Sequence, residues 1–148
     1  MISVSKSGFI PPENPPWHYH RFNRIWHEFF WQTRWELKTD LRVNYMQSSG
    51  ADIYSYSVEM SGAYVYHSYW LTFGYYSDID YQKDGLYYTW VKHYNRAHFE
   101  TTDGLNHVIA HSWIKIKEYY NPTFNAYYEH PYGPPTYILT EYLLVSVK

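Results

Sequence analysis

The chain has no cysteine. That one absence removes disulfide staples, thiolate nucleophiles and cysteine-type zinc sites together. Glycine is scarce, with seven residues in 148, and none is arranged as a phosphate-cradling loop, a dinucleotide fingerprint or a glycine-flanked nucleophile elbow. Charge is thin as well: charged residues make up 18% and the net charge is −2, which gives no strong nucleic-acid signal. No segment approaches the roughly 20 apolar residues of a transmembrane helix, and the first sixteen residues hold no apolar run of signal-peptide length. Asn121-Pro122-Thr123 carries the proline that blocks a glycosylation sequon. These absences lead to the expectation of a non-enzymatic protein, made in the cytoplasm and working without a cofactor.

What the chain has instead is rings. Twenty tyrosines, seven tryptophans and seven phenylalanines make it 23% aromatic. Aromatic side chains bury large areas at little entropic cost, and the tyrosine hydroxyl tolerates a wet boundary, so such a composition suits interfaces as well as cores.

The pattern of those rings is mostly that of strands. Trp35, Leu37, Thr39, Leu41, Val43 and Tyr45 alternate with Arg34, Glu36, Lys38, Asp40, Arg42 and Asn44, which predicts a strand with one buried and one solvated face. Further alternating runs follow near 54–60, 63–76, 86–94, 107–120 and 137–147. Ser61-Gly62, Asp84-Gly85 and Asp103-Gly104 read as turns, and 121–135, rich in tyrosine and proline, reads as a loop. Residues 22–33 are the exception: Phe22, Ile25, Trp26, Phe29 and Phe30 fit a helical stripe and predict one short helix. The expected fold is mainly β, an antiparallel sandwich or barrel of about seven strands. A single domain over 18–148 is preceded by an extended arm, 1–17, stiffened by Pro11-Pro12 and Pro15-Pro16.

Candidate chemistry is sparse. His18 and His20 share a side of an extended segment, about 6.6 Å apart by strand rise, and are weak metal candidates with His27 or His130 as a third ligand. His107 and His111 would stand about 13 Å apart on a strand. Asp78, Asp80 and Asp84 resemble a calcium loop in spacing, yet Lys83 and Thr89 occupy the positions that want glycine and glutamate. No metal is expected.

The aromatic excess, strands apolar on both faces and an anchored arm together lead to the expectation of a structural subunit. It would assemble with copies of itself or with other subunits, as in a virion shell or a filament. The expected contact residues are Phe9, Ile10 and Trp17 on the arm, with Tyr64, Tyr66, Trp70, Tyr127, Tyr128 and Tyr132 on the body. The alternative is a binding module in which Trp70, Tyr64, Tyr66, Trp90 and Trp113 form a platform for carbohydrate or another flat ligand.

Overall fold

The computed structural model describes residues 2–3, 16–132 and 138–145, the backbone alone for 2–3, 130–132 and 138–145. Ten antiparallel strands follow one another: β1 (Ile2–Ser3), β2 (Trp17–Phe29), β3 (Gln32–Tyr45), β4 (Ile53–Ser57), β5 (Gly62–Val65), β6 (Trp70–Asp84), β7 (Tyr87–Thr101), β8 (His107–Lys117), β9 (Thr123–Tyr132) and β10 (Ile138–Val145). A single 3-10 turn, Glu118–Tyr120, is the only helical element among the described residues. The hydrogen-bonded order is β1-β10-β2-β3-β4-β7-β8-β9, with β5 also on β3 and β6 also on β7. The β4–β7 link is one residue pair, Ile53 with Tyr88. The sheet therefore folds at that corner into a flattened, nearly closed barrel, β2–β3 lying over β7–β8.

The mainly β expectation holds, and several local ones change. The expected helix at 22–33 is the end of β2, because Ile25 and His27 continue the inward alternation begun by Trp17 and pair with Leu37 and Trp35 of β3. Ser61-Gly62 is no hairpin. β4 pairs with Arg42–Tyr45 and β5 with Trp35–Lys38 of the same β3 edge, so the two are one interrupted strand whose break, 58–61, curls outward. The run 63–76 divides into β5, a turn and the start of β6, and the expected loop 121–135 contains β9. Asp84-Gly85 and Asp103-Gly104 do lie in turns, where Gly85 and Gly104 take positive φ of 69° and 74°.

Two apolar clusters fill the space between layers. One joins Trp17, Tyr19, Leu41, Val43, Tyr45 and Ile53 to Val91, Ile114 and Ile116. The other joins Ile25, Trp35, Leu37 and Trp70 to Ala97, Phe99, Val108 and Ala110, with Trp35 stacked on Phe99 at 4.4 Å. Burying each large side chain of this kind stabilises the fold by about 1.5–3 kcal/mol. Between the clusters runs a buried polar belt, one residue from each of four strands: Asn23, Thr39, Asn95 and Ser112. Asn95 Nδ2 donates to Thr39 Oγ1 (3.1 Å) and to Lys38 O (3.0 Å), and Asn23 Nδ2 donates to Ser112 Oγ (3.3 Å) and Trp113 O (3.1 Å). These bonds cross from one layer to the other, so they set how the layers register in a way apolar contacts alone do not.

Two described stretches of the expected arm, 1–17, fall in strands. Ile2 and Ser3 pair with Val145 and Leu144 of β10. Trp17 opens β2, stacks on Tyr45 at 4.6 Å and donates Nε1–H to Gln47 O at 2.8 Å. Its ring is thus spent in the core of its own chain. Phe9 and Ile10 lie outside the described residues.

Candidate functional site

The outer face of β3 was expected to be a solvated charge row, and its middle is instead buried. The break at 58–61 lays its backbone over Asp40: the amides of Glu59 and Met60 donate to the carboxylate at 2.9 Å each, Ser61 Oγ–H donates at 2.6 Å, and His20 Nε2 sits 2.7 Å away. Burial pushes the Asp40 carboxyl up, but the bonds from His20, Ser61, Glu59 and Met60 outweigh it and hold the carboxyl below its ordinary value. Glu36, four residues back on the same face, is bound by Arg24 Nε at 2.5 Å, Lys38 Nζ at 3.4 Å and the Tyr66 hydroxyl. Burial opposes its ionisation too, and the Tyr66 and Arg24 bonds win. Here the charges serve the fold. The weak metal pair lies in the same row, with His20 Nε2 on Asp40 and His18 Nδ1 3.2 Å from the Arg42 guanidinium. His27 faces the opposite, inner side against Trp35 and Trp70. The His130 side chain lies outside the described residues.

The outer face of β7 and β8 is different: among the described residues no backbone amide donates to its side chains as those of Glu59 and Met60 donate to Asp40. His98 and Glu100 are two apart on β7, hence on one face, and the Thr102–Asn106 turn returns the chain so that His107 stands directly across from Glu100. His98 Nε2 lies 3.2 Å from His107 Nδ1, and His107 Nε2 lies 3.4 Å from Glu100 Oε1. Burial, then the neighbouring His107, holds the His98 imidazole below its ordinary pKa against the pull of Glu100. His98 also helps wall a surface depression of about 550 Å³ with Gly74, Tyr75, Tyr76, Arg96 and Ile109. Farther along the face His111 is fully engaged: Nε2 with Glu129 Oε2 at 2.6 Å, Nδ1 with the Tyr94 hydroxyl at 2.7 Å, and its ring stacked on Tyr127 at 4.5 Å. A pass along the sequence overlooks the His98, Glu100 and His107 group. The signal was there: a His-x-Glu ending one strand and a histidine opening the next, with Asp103-Gly104 between.

A third feature also escaped the sequence reading. The β2–β3 hairpin closes on a two-residue turn, Phe30-Trp31, between paired Phe29 and Gln32. Both turn residues have positive φ, 51° and 59°. That backbone belongs to a primed turn, which ordinarily carries Asn-Gly because bulky side chains are strained there. The two rings are 72% and 91% exposed.

The expected contact residues separate. Trp70 is core. Tyr64 and Tyr66 are exposed and stacked together at 6.4 Å, and Tyr127 and Tyr128 are exposed on β9. The Tyr132 side chain lies outside the described residues. Of the expected platform, Trp90 and Trp113 have lysines, Lys115 and Lys92, over their rings at 4.2 and 4.9 Å. Comparison of the chain with protein-family models, with curated proteins and with solved structures found no match.

Proposed function

We propose that the protein is a non-enzymatic structural subunit that packs against further copies of itself, the Phe30-Trp31 tip of one copy seated in the aromatic depression of the next. The turn backbone carries this reading. Fold stability alone selects Asn-Gly at such a turn, and two exposed rings held there at a cost of about 1–3 kcal/mol per strained residue make sense as contact residues. The depression offers Tyr75, Tyr76 and Ile109 as apolar walls. It adjoins the β6 strand, whose Leu71, Phe73, Tyr75, Tyr76 and Tyr81 are all exposed large apolar side chains. A tip on one patch and a socket on another make a head-to-tail contact, which generates rings where the rotation closes and filaments where it does not.

Light scattering coupled to size exclusion tests this on the full chain over a range of concentrations. The wild type is expected to run above monomer mass. The double variant Phe30→Asn, Trp31→Gly is expected to run as a monomer and to melt at a higher temperature, since its residues suit the turn. Equal masses for the two proteins would sink the proposal. The second reading, a platform for a flat ligand, draws on the same depression, whose volume falls within the range of small-molecule pockets. A monomeric wild type whose tryptophan fluorescence shifts with one member of a glycan panel would support it.

A further inference from the structure

We infer that His98, Glu100 and His107 hold a divalent transition metal of the zinc class at the β7–β8 turn. The three residues offer donor atoms that all lie within 4.8 Å of one another. Two nitrogens bound to one tetrahedral zinc at about 2.0–2.1 Å stand about 3.3 Å apart, and His98 Nε2 and His107 Nδ1 stand 3.2 Å apart. The two nitrogens therefore already stand at about the separation a shared ion requires. Glu100 completes the site. Its Oε1 lies 3.4 Å from His107 Nε2, so the carboxylate already stands against the imidazole pair and supplies the third donor. Two histidines and a glutamate suit zinc, cobalt or nickel and fit magnesium or calcium poorly, since those prefer all-oxygen shells.

The scaffold favours such a site. All three ligands come from one hairpin whose strands are paired from Trp90–Lys117 to Glu100–His107, so the donors ride on rigid backbone. The turn between them is tied down by Thr101 Oγ1–H donating to Asp103 Oδ1 at 2.7 Å and the Leu105 amide donating to the same oxygen at 3.0 Å. His98 is at once ligand and wall of the depression, so the ion would lie beside that hollow. His111, engaged at both nitrogens, is not part of the set.

The experiment is titration of the full chain with cobalt(II), read by visible absorption, and with zinc(II), read by calorimetry. One ion per chain is expected. His98→Ala and His107→Ala should each abolish saturable binding, Glu100→Gln should weaken it by about 10–100-fold, and His111→Ala should leave it unchanged. The monomeric tip variant should bind as the wild type does, so that failure of the assembly proposal and failure of this one are told apart. In the intact protein, where folding of a variant is not in question, zinc should shift the ring signals of His98 and His107 and no others. Absence of saturable uptake by the wild type, uptake that survives loss of both histidines, or zinc shifts on other histidines alone would overturn the site.

Discussion

The outer faces of β3 and β7 carry similar sequences and have different fates. β3 presents Arg34, Glu36, Lys38, Asp40 and Arg42; β7 presents Lys92, Tyr94, Arg96, His98 and Glu100. On β3 the acids are buried, Glu36 at 2% exposure and Asp40 at 0%: the break in the neighbouring strand delivers two amides and a hydroxyl onto Asp40, and Arg24, Lys38 and the Tyr66 hydroxyl close over Glu36. On β7 the neighbour is β6, which runs alongside it from Trp70 to Asp84 with two register shifts and is not broken into a segment that folds over the row. A polar row becomes structural when another part of the chain gives up its own pairing to satisfy it. Left uncovered, it remains available for a ligand.

Removing Asp40 should produce the largest effect. Asp40→Ala strands two amides, the Ser61 hydroxyl and the His20 ring around a carboxylate position that is itself fully buried, and loss of one side of such a network costs about 3–5 kcal/mol. Urea denaturation should show the midpoint fall with the slope unchanged, and hydrogen exchange should show the Glu59 and Met60 amides losing protection. A cost below about 1 kcal/mol would place the β3 row with ordinary surface charges and dissolve the contrast.

Acid sharpens the same contrast. The carboxyls of Asp40 and Glu36 are held below their ordinary values, so the unfolded chain takes up protons before the native one does. Their stabilisation is present above the unfolded pKa of about 4 and is lost as pH falls through the native values. His93 acts with the same sign and earlier. It is buried and neutral, its pKa lowered by burial against the bond to Asp40 O and the Asp40 charge, with Nδ1 2.8 Å from Asp40 O and Nε2 2.8 Å from Ser77 Oγ. Its share is present above about pH 6.5, the unfolded histidine value, and declines below it. Thermal melting from pH 8 to 3 should fall in two stages. Asp40→Ala should flatten the lower one, and His93→Gln the upper.

The alternation that made β3 legible in the sequence is real: Trp35 through Tyr45 do face the core. Alternation reports which residues share a face and says nothing of what lies above it, so the burial of Asp40 was hidden in a break about twenty residues downstream, and that of Glu36 in Arg24 and Tyr66, which come from other strands and loops. The helical reading of 22–33 failed for a related reason. Phe29, Phe30 and Trp31 supplied the apolar count for a helix face, although none of the three is buried; they are the exposed tip of a hairpin. The metal group was hidden by the habit of seeking ligands at fixed spacing along one strand, when a turn of known signature brings Glu100 and His107 face to face.

The smallest expected effect completes the comparison from the open side. Lys92 lies over the Trp113 ring at 4.9 Å and both residues are half-buried. A cation on an aromatic face that water still reaches contributes about 0.5–1 kcal/mol. Lys92→Ala, Trp113→Leu and the double variant form a cycle in which that coupling can be read apart from the burial Trp113 loses on its own. Coupling should fall in that narrow range and Lys92→Ala alone should leave the midpoint nearly unmoved. A coupling of 3 kcal/mol would mean that the β7 row is as structural as the β3 row, and the face proposed to receive the ion and the neighbouring copy would instead be committed to holding the fold.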